Sequence, residues 1–416
     1  MGDCLRLHIF HRHDGGWLLL QPDIRPTRPL RPGTRRIGLE RSQVAGDMAY
    51  LALITCVVAI AVGYWMVRSS QGQKFSSKLR LAFGVVLLQT FLTYISVSVD
   101  TESQFLAWII AASIALGVAV PATFSMTTDL IPSRDRGYVA ALITAAAYFA
   151  AEVFSNEWTF ELFRGRLLGV MSLGAISLGI LAFVKLPFID TLSQQHLHPE
   201  FARGRFIRLD QKKDKMDHRL VGLILLMFGI YFVDSLGFLR LLETPVFMNT
   251  AWQAESLNIR LFIAWVHVIA ALIAGVLYTA LDVRELFFWI FGIFGLTHLS
   301  YTFHIRLVSG DSAPLSMPML YATAVSLYTV VNFAIWADFS TPKTISFNTA
   351  LGVALSGWTA TFLSTAFAIQ WEASGMALER HLNIVDSLAI LFFIGLILIS
   401  LIPRRDKPRG TLEGEN

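Results

Sequence analysis

Three ionisable side chains stand where ionisable side chains are expensive. Glu152, Asp234 and His267 each fall inside a long apolar run. Charged groups at such positions usually face a bundle interior or a water-filled cavity. A carboxylate held there can exchange a proton near neutral pH, which suits coupling to a proton gradient. Asp234, in "GIYFVDSLGFLR", is the first candidate for that role. Each residue also has a plainer reading. Glu152, close to "SNEW", could sit in a hydrated interface, and Asp234 could pair with Arg240, six positions on and poorly aligned on the helix. A single histidine such as His267 or His298 more often packs with a hydrogen bond than carries protons.

Counting about 1.5 Å per residue along each helix places all three in one half of the bilayer, with Glu152 about 21 Å from the start of its helix. They could therefore line a shared cavity. Gln89, Tyr94, Tyr231, Trp265, Tyr328, Asn332 and Trp336 could complete it. Aromatic faces with a few amides suit a small organic solute better than a bare ion. The same residues are also what packed membrane helices and interfacial belts contain.

A second charged constellation is "DLIPSRDRGYVAAL", Asp129 to Leu142. Pro132 stops a helix, Gly137 permits a tight re-entry, and Arg134 and Arg136 can pair with Asp129 or cap neighbouring helix ends. Charge pairs of this kind, formed in one state of a moving protein and broken in another, make a gate. Ordinary basic decoration of a cytoplasmic loop is the alternative.

The elements that must position these residues are membrane helices. Only 15% of the 416 residues are charged and 54% are hydrophobic, against about 25% charged in soluble proteins. Eleven runs long enough to span a bilayer lie near 49–67, 79–98, 104–124, 138–156, 164–186, 219–240, 260–280, 286–305, 315–336, 346–369 and 383–402. The alternation of an outer-membrane barrel is absent, so an all-α polytopic membrane protein is expected. Two cysteines exclude a disulfide framework or a cysteine-built metal site. The net charge of +4 does not argue for nucleic acid. Basic residues concentrate in every second loop, which places those loops and the C-terminus in the cytoplasm.

The chain divides at 187–218, a basic stretch read as a cytoplasmic linker between bundles at 48–186 and 219–402, with a cytoplasmic tail at 403–416. An internal repeat supports the division. Shifting the second half back by 209 positions superposes Asp338 on Asp129, Lys343 on Arg134, Phe347 on Tyr138, Ala350 on Ala141 and Phe333 on Phe124. The same shift aligns four spans, as in the parallel repeats of secondary transporters. It also places 219–240 over 10–31, where Arg12, Arg25, Arg28 and Arg31 and three prolines rule out a span. Residues 1–47, with eight Arg and no Lys, thus stand where a twelfth helix is expected. They are expected to be disordered, either as a divergent N-terminus or as a mis-started or out-of-frame translation.

Two six-helix halves, a basic linker and Asp129, Pro132, Arg136 and Gly137 in an acidic–x–x–Pro–x–x–x–Arg–Gly pattern resemble the major facilitator superfamily. The family's other signature, a Gly-rich Asp-Arg loop, corresponds to "VRSSQGQKFSSKLR", which keeps Gly72 and its basic residues but lacks the aspartate. The equivalent in the second half, "LDVRELFF", keeps Asp282 and Arg284. The resemblance implies alternating access by a secondary transporter of a small organic solute. The expected gate comprises Asp129, Arg134, Arg136, Gly137, Asp282, Arg284, Asp338 and Lys343. The expected solute or proton route comprises Glu152, Asp234, His267, Asn332, Trp265 and Tyr328. No cofactor or metal is expected, and the protein is expected to be a monomer in a bacterial inner membrane or a plasma membrane. A transporter-like sensor or partner without transport, and a membrane-embedded transferase, are the other readings. The absence of GxxxxGK[ST] argues against ATP as direct driver.

Overall fold

Each apolar run becomes one helix in the computed structural model, which describes residues 7–11, 18–22 and 41–401 apart from 70–72, 154–159, 185, 208–217, 244–253, 255 and 308–312. Before the linker these are α1 (Arg41–Arg68), α2 (Phe75–Ile95), α3 (Glu102–Phe124), α4 (Arg136–Val153) and α5 (Phe160–Phe183). The linker begins with a short amphipathic helix, α6 (Pro187–Gln195). After it come α7 (His218–Glu243), α8 (Leu257–Ala280), α9 (Val283–Leu307), α10 (Ser316–Asp338), α11 (Ile345–Ala373) and α12 (Leu378–Leu401). Among the described residues, ten of the long helices are long and apolar enough to cross a membrane. The other, α4, carries Arg136 and Glu152 within 18 residues. The chain is an all-α polytopic integral membrane protein.

Local chemistry explains the element ends. Thr101 opens α3 by accepting the Gln104 N–H while the Gln104 side chain accepts the Thr101 N–H, a reciprocal cap. Pro132 stands just past a separate helical turn at Thr127–Leu130 that follows α3, and Pro342 stands four residues past the end of α10, so helix does not run through either loop. Within α11 the backbone over Ala350–Thr359 widens to i→i+5 hydrogen bonding, and the Thr359 hydroxyl donates five residues back to the Ala354 carbonyl.

The N-terminal segment differs from the expected disorder in one place. Strands β1 (Leu7–His11) and β2 (Leu18–Pro22) pair antiparallel, Leu7 opposite Pro22. The rest of residues 1–40, the linker residues 208–217 and the tail 403–416 lie outside the described residues.

In the packing, α1 lies against α3 and α11, and α2 against α3 and α5. After the linker, α7 packs on α11 and α12, α9 on α10 and α12, and α8 on α10. Of the first half's helices, α4 packs mainly on α8 and α10 of the second half. Small residues explain this attachment. Gly137, Ala141 and Ala145 form a stripe at i, i+4 and i+8 on α4, and a Cβ on Gly275 of α8 would stand 2.7 Å from the Ala141 Cβ and 3.0 Å from the Gly137 carbonyl oxygen. Membrane helices that meet through such stripes approach backbone to backbone, where dispersion replaces the hydrophobic effect. Gly275→Leu is accordingly expected to destabilise the protein by about 1–3 kcal/mol through overpacking. Detergent-phase thermal unfolding of the purified variant checks it; an unchanged midpoint would show that the crossing tolerates separation.

Candidate functional site

Two layers of polar side chains join the halves, one at the end of the bundle that carries the linker and one further along the same helices. At the linker end, α10 finishes at Asp338, its last turn closed by the Ser340 hydroxyl donating to the Trp336 carbonyl at 2.6 Å. Arg136, first residue of α4, reaches across to it, Nη1 to Oδ1 at 2.7 Å, with both side chains fully buried. The same nitrogen donates to the Ala337 carbonyl at 3.0 Å, and Nη2 donates to the Phe201 carbonyl at 2.9 Å. Tyr278 of α8 donates its hydroxyl to the other Asp338 oxygen at 2.6 Å. The linker closes over the pair: the Phe206 N–H donates to the Asp338 carbonyl at 3.0 Å, and the Arg205 guanidinium lies 4.9 Å from the Tyr278 ring centre. A charge pair in a dry interior stabilises only when its remaining lone pairs and protons are met. Here they are met.

Asp129, the repeat equivalent of Asp338, is buried as well but takes its partner from within its own half. Lys78 of α2 donates Nζ to Asp129 Oδ2 at 2.7 Å and to the Ser125 carbonyl at 3.2 Å, and His196 Nδ1 lies 3.3 Å from Oδ1. Lys78→Met is expected to cost about 3–5 kcal/mol by leaving that carboxylate buried without its cation. Most of the loss should return in Lys78→Met/Asp129→Leu, measured by the same unfolding assay; no recovery would mean the pair does not explain the loss.

The rest of the expected gate is dispersed. Arg134 is exposed, 3.6 Å from Asp135. Arg284, Asp282 and Lys343 are exposed at the linker end, with the Asp282 N–H donating to Glu285. Gly137 serves helix contact, since a Cβ there would stand 2.8 Å from Tyr278 Cδ1. The structure unites Arg136 and Asp338, and adds Lys78, Tyr278 and the backbone at 201–206.

The second layer is built around α10. Tyr321 and Tyr328 are seven residues apart, two turns on one face, and both donate hydroxyls to Asp234 of α7, the first at 2.7 Å. Tyr231 packs edge-on against Tyr328, and Phe238 stacks on Tyr321 at 5.3 Å. Asp234 thus sits in an aromatic box. Arg240 is not its partner, for its guanidinium pairs with Glu372 at 3.1 Å.

On the opposite side of α10, Ser326 and Thr329 face α4 and α8. The Thr329 hydroxyl is 3.0 Å from the Tyr148 hydroxyl, and Ser326 Oγ is 2.9 Å from His267 Nδ1. The His267 ring stacks on Tyr148 at 4.2 Å, and its Nε2 lies 3.8 Å from Glu152 Oε1. Glu152 comes from the first half and His267 from the second, so this is a contact between halves.

Asn332 is buried and accepts the Trp336 indole N–H at 2.8 Å. Gln89 is buried in α2. Trp265 does not join the cluster: it is 56% exposed on α8 and meets Phe149 edge-on. Tyr94 is exposed too. Among the described residues no group of three or more His, Cys, Asp or Glu could hold a metal ion.

One contact fixes the relation of the halves. Phe124 of α3 and Phe333 of α10, equivalent under the 209-residue shift, stack on each other at 6.0 Å. A residue can touch its own repeat equivalent only near the axis that relates the repeats.

No protein-family model matches the sequence, and no curated protein does. Solved structures do. The human organic anion transporter MFSD10 (TETRAN) aligns at TM-score 0.55 and 14% identity over 84% of this chain and 83% of that one. The xylose transporter XylE from E. coli, in a partially occluded inward-open conformation, aligns at 0.56 and 15% over 88% and 89%. A bacterial homologue of the iron transporter ferroportin, outward-facing, aligns at 0.55 and 14% over 86% and 90%. The chain has the major facilitator fold.

Proposed function

We propose that the protein is a secondary active transporter of a small organic solute, working by alternating access with the linker end in the cytoplasm and Asp234 as the proton-exchanging group. The observation that carries this reading is the buried Arg136–Asp338 pair. It ties α4 of one half to α10 of the other at one end of the bundle. Opening that end for release must break the pair, so the pair belongs to one of two states and biases the equilibrium between them. Structural likeness to an organic anion transporter, a sugar transporter and an iron transporter homologue supports transport as a class and leaves the solute open.

The aromatic box around Asp234 favours an organic solute. It sets Tyr231, Tyr328 and Phe238 beside a single carboxylate, a mixture of side chains expected of an organic-molecule site. Glu152 and His267, beyond α10 at the same level, supply the contact that must loosen at the other end.

The test is flux in proteoliposomes with and without an imposed proton gradient, using radiolabelled panels of sugars, amino acids and organic anions. Accumulation of one class above its equilibrium level, collapsed by a protonophore, is the expected result. Flux without response to the gradient would remove proton coupling. No flux for any class would favour the transporter-like protein without transport.

A further inference from the structure

A row of buried polar side chains runs between α9 and α12, away from the contact between the halves. His298 and Thr302 lie one turn apart on α9, and Asp386 faces them from α12. They are 1%, 5% and 7% exposed. Thr302 and Asp386 face each other within hydrogen-bonding reach across the seam, while neither ring nitrogen of His298 has a hydrogen-bond partner among the described residues. Buried polar atoms are nearly always satisfied, and an imidazole with both nitrogens unmet beside a buried hydroxyl and carboxyl is unusual for a dry seam. Ordered water satisfies such groups where the lining is polar on both sides.

Both ends of the row are defined. Two turns above His298 on α9, Arg306 donates to Asn383 at 2.6 Å and pairs with Glu379 at 3.1 Å, at the end opposite the linker. Both partners of that ion pair are about half exposed, so the row opens to solvent. At the inner end His298 meets α7. A Cβ on Gly237 would stand 2.8 Å from His298 Cε1, and Gly237 is one turn from Asp234. Phe294 bridges the same ground, 4.5 Å from the His298 ring and 6.4 Å from Tyr328, which donates to Asp234. The other charged groups nearby are engaged elsewhere: Arg240 with Glu372, and the His381 ring with the Leu236 carbonyl.

We propose that Asp386, Thr302 and His298 line a file of water that brings protons from the end opposite the linker to Asp234, between α9 and α12 and separate from the solute route. The idea rests on Asp234 as the proton-exchanging group. It separates the two cargoes: the solute moves between the halves, while protons pass through the second half alone. Water molecules hydrogen-bonded to hydroxyl, carboxyl and imidazole relay a proton by exchanging bonds, and the acid at each end receives or releases it.

Silver ion, close to water in size and reactive with thiols, is the probe. In full-length protein lacking Cys4 and Cys56 and held in nanodiscs, Thr302→Cys and His298→Cys are expected to react. Leu296→Cys, on the exposed lipid-facing side of α9, is not. Asp234→Cys should also react, and at least about tenfold more slowly once Thr302→Leu closes the seam. Size-exclusion profiles identify any variant that fails to fold, and Thr302→Val then replaces Thr302→Leu. Unreactive Thr302→Cys and His298→Cys in folded protein would overturn the proposal. So would an Asp234→Cys rate indifferent to Thr302, for silver would then arrive between the halves. Neither result depends on solute flux, so the seam can fail while the transport reading stands, and the reverse.

Discussion

Arg136→Met should cost about 3–5 kcal/mol of folding stability and open the linker end of whatever protein remains folded. The loss follows from what Asp338 keeps. Without the guanidinium it retains the Tyr278 hydroxyl at 2.6 Å and a long contact to the Arg205 N–H at 3.4 Å, in a site with no exposed surface. A carboxylate so placed must stay charged in a dry interior, take up a proton, or reach water by opening the end it closes. The third route makes the variant informative. Spin labels at Arg134→Cys and Lys343→Cys, both exposed and in equivalent loops of the two halves, report the distance across the linker end. Native protein should show a dominant short distance, and Arg136→Met a larger long-distance population. Arg136→Met/Asp338→Leu should recover stability without recovering the short distance, because a well-packed apolar pair replaces a buried ion pair at little cost yet lacks its directional bonds. Full stability with an unshifted distance distribution in Arg136→Met would show that the pair closes nothing.

The sequence marked Arg136 and Asp338 separately, through a Pro-Arg-Gly loop and its repeat, and left their meeting to the structure. The reason is geometric. The 209-residue shift pairs Asp338 with Asp129 as equivalents, which invites a search for equivalent partners. The same shift puts Phe287 where Lys78 should be and Ile345 where Arg136 should be, so the two aspartates found different cations. Lys78 was visible only as one basic residue in a loop-flanking stretch. The carbonyl of Phe201 and the N–H of Phe206 were not visible at all, because backbone groups leave no mark in a side-chain pattern.

Helical spacing explains why Trp265 lies apart from His267 and why Tyr328 and Asn332 lie together. Trp265 is two residues from His267, and residues two apart on a helix face different ways. With His267 committed to Ser326 and Tyr148, Trp265 had to face lipid. Tyr328 and Asn332, four apart, share a face, and both are buried along α10. Tyr321, seven residues before Tyr328, carries the same signal and was missed because it lies near the helix start, where a tyrosine reads as an interfacial anchor. The long helices were legible as apolar runs because hydrocarbon thickness sets helix length, although among the described residues ten of the eleven expected spans are long and apolar enough to cross and α4 is not. The packing of α4 on α8 was not legible, since it depends on which small-residue stripe finds which.

Asp234→Asn should abolish uphill accumulation of the solute while leaving downhill exchange largely intact. The substitution preserves size and an oxygen that can accept one tyrosine hydroxyl, and the other tyrosine can turn to accept the amide N–H, so the box survives. What is lost is the site where a proton binds and leaves. One pH unit is worth about 1.4 kcal/mol per proton, enough to hold about a tenfold solute gradient at one-to-one coupling; the variant's accumulation ratio should fall to one. Asp234→Glu, which keeps the acid, should retain part of the gradient. Asp234→Leu is the necessary contrast. It strands two buried hydroxyls at about 1–3 kcal/mol each, so it should lose folding stability as well, and its transport defect would say nothing about protons. Solute counterflow and gradient-driven uptake, measured on the same proteoliposomes, separate the cases. Uphill accumulation persisting in folded Asp234→Asn would move the proton site elsewhere, with the Glu152–His267 contact, 3.8 Å apart across the halves, next in line.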